Sequence, residues 1–253
     1  MKLPMEPDDA RTDVSQGQRV YEWVRDRIID GRLATGSRVR EREVADALGV
    51  SRIPIREAFP RLEAEGYIRT LPRRGAVVAP MELADIVELF DVRAALEVLA
   101  ARLAASRCAE GASGDELRDA LRIAEHAVES AEGAAIADAT SEFHDAIVDL
   151  AGSHLLQSLL RPVKGRVKRL FHIASERDDG DVHREHRDLC DAIVRGQVER
   201  AAALALAHVE RSRAETVPAL AAEHGGATRD ADPQSEAASE RSTSDAEPVP
   251  AAR

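Results

Sequence analysis

Two different apolar rhythms meet near Pro80, and together they limit what this chain can fold into. Over residues 18–80, glycines at 31, 36, 49, 66 and 75 divide the chain into short patterned segments. Residues 18–31 place Val20, Val24 and Ile28 at the spacing of one helix face, and Gly31 supplies the stop. A turn at Gly36 leads to a short helix over residues 42–48, then Gly49, then a second helical pattern over 51–65 that Gly66 ends. Residues 67–71 and 76–79 are brief apolar runs separated by Pro72, Arg73, Arg74 and Gly75, the pattern of a β-hairpin.

Beyond Pro80 only helical periods occur. Leu83, Ile86, Val87, Phe90, Ala94 and Val98 form one stripe; Leu117, Leu121, Ala124 and Val128 a second; Ile136, Ala139, Phe143, Ile147 and Leu150 a third. Further helices are predicted over 155–175, 181–195 and 198–222, and the short glycine-containing connections at 111–114, 133, 152 and 196 favour an antiparallel bundle. The expected fold is therefore mainly α, an N-terminal winged helix-turn-helix over 18–80 followed by an all-α antiparallel helical bundle over 81–222. Residues 1–17 and 223–253 are polar without a period and read as disordered tails.

Bulk properties narrow the function classes. With 44% apolar residues in 253, the chain can fill real cores. No apolar run is long enough to span a bilayer, and the polar N-terminus lacks the apolar centre of a signal peptide, so a cytoplasmic protein with no membrane partner is expected. Cys108 and Cys190 each fall inside a helical pattern and read as small buried side chains rather than a disulfide framework. The net charge of -11 argues against a nucleic-acid partner only until it is divided along the chain. Residues 18–80 hold 13 Arg and no Lys against 9 acidic residues, a local balance of +4. Positive charge is thus concentrated in the helix-turn-helix.

Within that segment, Leu48-Gly49-Val50-Ser51-Arg52-Ile53-Pro54-Ile55-Arg56-Glu57-Ala58 carries the strongest chemistry. Gly49 permits a sharp turn between helices, Ser51 suits an N-cap, and Pro54 falls in the first turn, where a missing N–H costs nothing. Arg52 and Arg56, four apart, share a face that can offer guanidinium forks to guanine edges or phosphates in a major groove; Arg42, one helix earlier, can clamp phosphate. Pro60, inside the same helix, removes a hydrogen bond to Arg56 and tends to kink it.

By these motifs, with Glu41-Arg42-Glu43-Val44-Ala45, Glu65-Gly66-Tyr67-Ile68 and Arg74-Gly75-Ala76, the segment resembles the GntR family of bacterial regulators. The resemblance implies operator contacts from Arg42, Ser51, Arg52 and Arg56, with the wing tip at Arg74 and Gly75 reaching the minor groove.

Three histidines lie on the apolar stripes of three different bundle helices: His144 beside Phe143, His186 before Leu189 and Cys190, His208 after Leu204 and Ala205. Such side chains can converge in a bundle, where imidazole is a good ligand for zinc, nickel and similar divalent metals. The stretches Glu88 to Glu97, Phe143-His144, Glu185-His186 and Ala207-His208-Val209 resemble the FCD ligand-binding domain of the FadR-type subfamily. That resemblance implies a metal held by one Asp and three His. The histidines match His144, His186 and His208, but Thr140 stands where the Asp is expected. A hydroxyl is a weaker ligand than a carboxylate, which leaves a weakened site, one that recruits Asp138 or Glu142, or a lost one. Arg93 matches an arginine beside the cavity that can pair with an effector carboxylate; the competing role is an ion pair with Glu97 one turn on.

The expectation is a homodimeric regulator, a repressor by family habit, that binds a pseudo-palindromic double-stranded operator. A small carboxylate effector in the helical domain, metal-assisted, would shift its operator affinity. Two other classes stand beside it: an architectural DNA-binding dimer with no effector, and a metallohydrolase, against which the missing HExxH spacing counts (His183-Arg184-Glu185-His186).

Overall fold

The stripe Val20, Val24 and Ile28 is fully buried, and with Tyr21 it forms one wall of the N-terminal core. In the computed structural model, which describes residues 15–71, 75–130, 133–173 and 179–227, that stripe belongs to α1 (Gln16–Ile29). After it come β1 (Arg38–Val39), α2 (Glu41–Leu48), α3 (Arg52–Ala64), β2 (Ile68–Leu71) and β3 (Gly75–Val78). The helix α1 begins two residues earlier than its period suggests, because the Ser15 hydroxyl accepts the Gln18 amide at 3.1 Å and caps it. Gly49 closes α2 in the left-handed region, at φ 64°, which turns the chain into α3.

Behind the helices, β3 lies between β1 and β2 in an antiparallel three-stranded sheet, with Val39 opposite Ala76 and Ile68 opposite Val78. The hairpin was legible; the two-residue β1 was not. Ile55, Leu62, Tyr67, Ile68 and Val78 join the α1 stripe in one apolar cluster. The helix α3 runs through Pro60 to Ala64, with the proline on its exposed side.

The second body consists of α4 (Leu83–Ala109), α5 (Asp115–Ser130), α6 (Gly133–Ala151), α7 (His154–Ile173), α8 (Asp179–Val194) and α9 (Val198–Ala227). Gly133, expected in a connection, is instead the first residue of α6, and α9 continues five residues past the expected 222. Of the tails expected at 1–17 and 223–253, residues 16–17 and 223–227 are helical instead, and residues 1–14 and 228–253 lie outside the described residues. Alanines 100, 101, 104 and 105 of α4 let α9 and α6 approach closely, and Phe143, Ile147, Leu189 and Ile193 fill the space between. Cys190 is buried and Cys108 half-buried, both as free thiols, and burial pushes the Cys190 thiol up to about 11.

Helix α7 joins the two bodies. Its Leu170 packs with Ile86, Leu89 and Phe90 of α4, while its other side meets the N-terminal head. There the Arg166 Nε donates to the Glu65 carbonyl at 2.9 Å, and an Arg169 Nη donates to the Ala79 carbonyl at 2.5 Å. Gly165 completes the contact, because a methyl group on its Cα would collide with the Tyr67 hydroxyl. Gly165→Ala is expected to lower the unfolding free energy by about 1–3 kcal/mol, the usual cost of overpacking, measured by urea denaturation. An unchanged midpoint would show that the head rides free of α7.

Candidate functional site

Ser51 occupies the N-cap position of α3 with extended backbone, but its hydroxyl makes no capping bond and is exposed. Arg52 and Arg56 follow on the first two turns, both exposed and neither tied to a carboxylate among the described residues. Arg42, on the exposed side of α2, lies with its Nε 3.7 Å from Asp46, an exposed pair that salt screens easily. Gly75 opens β3 opposite Leu71, at φ 78°, while Arg74 lies outside the described residues. One side chain escaped the sequence reading. Ile53, 68% exposed beside Arg52, is a large apolar group left in solvent at the start of α3, the type of side chain that packs on a thymine methyl. An exposed Ile at an N2 position breaks the apolar stripe of the helix, and that break was the available signal.

In the helical body, α6 delivers His144, α8 His186 and α9 His208. Their ligand atoms all lie within 4.8 Å of one another, and the ring centroids are 4.8 to 5.2 Å apart. Phe143, fully buried, packs its ring 4.8 Å from that of His186 and so anchors α6 against α8 at this level. Burial holds the His144 imidazole neutral, pulled down to about 3 from its ordinary value against the raising influence of Glu97.

A carboxylate holds one of the other rings. The His208 Nδ1 lies 3.0 Å from Glu185 Oε2, and the Arg211 Nε donates to Oε1 at 2.5 Å. With Nδ1–H directed at Glu185, His208 keeps the Nε2 lone pair for a ligand. Three imidazole nitrogens from three helices fit a nitrogen-preferring divalent ion such as zinc or nickel.

Among the described residues no carboxylate joins the three imidazoles in that set. Thr140 is half-buried one turn before His144. Asp138 is exposed and paired with Lys168 at 2.8 Å, and Glu142 is exposed, so neither supplies the missing oxygen.

Arg93, on α4, is only 2% exposed. Its Nε donates to Glu97 Oε1 at 2.7 Å, with longer bonds of 3.4 Å from its two Nη groups to Glu97 Oε2 and to Ser212 Oγ. The rings of Phe90 and Phe171 flank the guanidinium at 5.2 and 5.5 Å. Glu97 in turn approaches His144 Nδ1 at 4.0 Å, so one carboxylate connects the arginine with the histidine cluster. Burial opposes charge on Glu97, but the Arg93 guanidinium, with His144 adding to it, holds its carboxyl at about 2.

The i,i+4 spacing announced the Arg93–Glu97 pair, whereas the reach of Glu97 to α6 and of Glu185 to α9 crosses between helices and leaves no periodic trace. Glu97→Ala, which strands a buried guanidinium, is expected to reduce stability by about 3 kcal/mol in chemical denaturation. A change within experimental error would mean that Arg93 reaches water.

Comparison with known proteins agrees with both bodies. Residues 16–78 match the family of bacterial regulatory proteins named gntR, and residues 88–211 match the FCD domain. The chain is 32% identical to the "probable D-xylose utilization operon transcriptional repressor" of Paenarthrobacter nicotinovorans, over 86% of this chain and 93% of that protein. It is 30% identical to the Nta operon transcriptional regulator of Aminobacter aminovorans, over 70% of this chain and 82% of the relative. A solved GntR transcriptional regulator from Rhodococcus sp. RHA1 superposes with a TM-score of 0.67 at 27% identity, covering 81% of this chain and 98% of that one. Among the described residues no helix is long and apolar enough to cross a membrane. With a helix-turn-helix head and a helical body each matching over nearly its full length, the chain belongs to the GntR family of bacterial regulatory proteins, of the FadR type with an FCD domain, and is a DNA-binding transcription regulator rather than an enzyme.

Proposed function

We propose that the protein is a homodimeric, cytoplasmic repressor whose hold on a pseudo-palindromic operator is set by a small carboxylate effector, metal-assisted, in the helical body. The convergence of His144, His186 and His208 from three helices supports this reading most strongly. In it, the three imidazoles hold a divalent ion, zinc or nickel. When bound, that ion supplies a Lewis-acidic centre for a carboxylate oxygen. Arg93 borders the same layer. It has its best donor on Glu97 and its Nη groups in long bonds only, so it can turn part of its fork to an entering carboxylate.

On the DNA side, Arg52 and Arg56 present guanidinium groups to base edges from α3. Ser51 and Arg42 hold backbone phosphates, and Arg74 with Gly75 forms the wing contact in the minor groove. Effector binding then acts through unequal affinity for the operator-competent and operator-incompetent arrangements of the two heads. The repressor names of relatives such as the one from Paenarthrobacter nicotinovorans support the sign of the effect.

Arg52→Ala and Arg56→Ala are each expected to weaken specific operator binding by about 10- to 100-fold in a gel-shift titration, the value of one good base contact. Operator affinity equal to that of the parent would reject the assignment. For the pocket, zinc or nickel is expected to raise the thermal midpoint of the chelator-treated protein, and His186→Ala to abolish the rise. No metal in the purified protein together with an unmoved midpoint would reject the metal.

A further inference from the structure

Where the head meets α7, a cleft of about 280 Å³ opens between the two bodies, separate from the histidine pocket. Tyr67 and Arg69 line it from the head, Met81 and Leu89 from the start of the bundle, and Arg166 and Arg169 from α7. Arg169 is only 3% exposed, but no carboxylate lies within ion-pair distance of it among the described residues. Its guanidinium meets the Ala79 carbonyl at 2.5 Å and the Thr35 hydroxyl at 3.5 Å. Arg166 is bonded to the Glu65 carbonyl, and Arg69, exposed on β2, has no ion pair among the described residues.

Glu63 and Asp85 also border the cleft; Glu63 is engaged by the neighbouring strand β2, and Asp85 by the residue that precedes its own helix. Glu63 accepts from the Thr70 amide and hydroxyl at 2.6 and 2.8 Å, and Asp85 from the Glu82 amide at 3.0 Å. Neither forms an ion pair with an arginine of the cleft among the described residues. Tyr67 is 1% exposed, and its hydroxyl finds no hydrogen-bond partner among the described residues.

Carbonyl oxygens satisfy N–H donors without cancelling their charge, and a guanidinium kept from water without a counter-charge is costly. A phenol hydroxyl left without an acceptor adds to that cost. Both deficits are met by the same kind of guest.

We propose that this cleft is a second ligand site, which takes a small anion, a carboxylate or a phosphate. Arg166 and Arg169 hold its charge from the bundle side, the Tyr67 hydroxyl donates to it from the head, and Arg69 stands at the mouth. Its size lies near the lower end of ligand pockets, about 300–1,000 Å³, which suits a short organic acid or a phosphate ester and excludes a dinucleotide or a long acyl chain. Because the guest touches the head and α7 together, its occupancy fixes the head against the bundle.

Thermal unfolding of the full chain without DNA tests this, in sodium phosphate or sodium succinate against sodium chloride at equal ionic strength. At about ten times its Kd, phosphate or succinate is expected to raise the midpoint by about 3 °C. Arg166→Gln and Tyr67→Phe are each expected to lose at least half of that rise. Tyr67→Phe keeps the ring and removes only a hydroxyl without a protein partner, so its fold is preserved. Equal midpoints in all three salts would overturn the proposal. So would a rise that both variants keep in full, which would place the anion elsewhere, or an effect of these two substitutions confined to operator binding, which would assign the arginines to DNA phosphate.

Discussion

Helix α7 must satisfy two surfaces at once, and the arrangement of the two bodies follows from that constraint. Leu170 is buried among Ile86, Leu89 and Phe90, Phe171 flanks the Arg93 guanidinium, and Arg166 and Arg169 turn toward the head. Four neighbouring residues of one helix therefore touch an apolar layer, a buried ion pair and a foreign backbone. A rotation or slide of α7 that suits one of these surfaces disturbs the others. Further along, Lys164 pairs with Asp145 of α6 at 2.5 Å, next to His144, so the histidine cluster and the head contact lie at two sides of the same helix.

The histidine pocket depends on apolar packing for its position and on carboxylates for its chemistry. Phe143 and the alanines of α4 bring α6, α8 and α9 close enough for three imidazoles to meet. Glu185 then orients one ring while Glu97 binds Arg93 and approaches another. The acids thus stand beside the cluster rather than within it, orienting rings from outside, an arrangement found around many metal-binding histidines.

Much of this was legible in the sequence, for identifiable reasons. Long helices with three- and four-residue apolar spacing declare themselves, so the stripes through Phe90, Ala124 and Phe143 found their cores, and histidines on such stripes were already candidates for convergence. Gly49 and Ser51 marked the turn into α3 because left-handed backbone and N-cap positions each select few residue types. The two-residue β1 escaped because no period can be read from two residues, and Ser15 because it caps its helix from within a polar stretch that shows no period of its own. Arg166 and Arg169 escaped for a different reason. In sequence they belong to an ordinary basic helix face, and only in the folded chain, against the head, is Arg169 buried and Arg166 half-buried. A residue whose environment is made by a distant segment leaves no local trace.

The division of charge along the chain has a consequence for how the molecule meets its target. A head of +4 is joined to a remainder of -15, so charge of opposite sign is divided between the two parts of the chain. In the field of a polyanion such a body turns as it drifts, head foremost, before any atom is in contact. Acidity that looks unsuited to a DNA-binding protein thus disfavours approach by the rest of the chain and leaves the basic head as the part that the polyanion attracts.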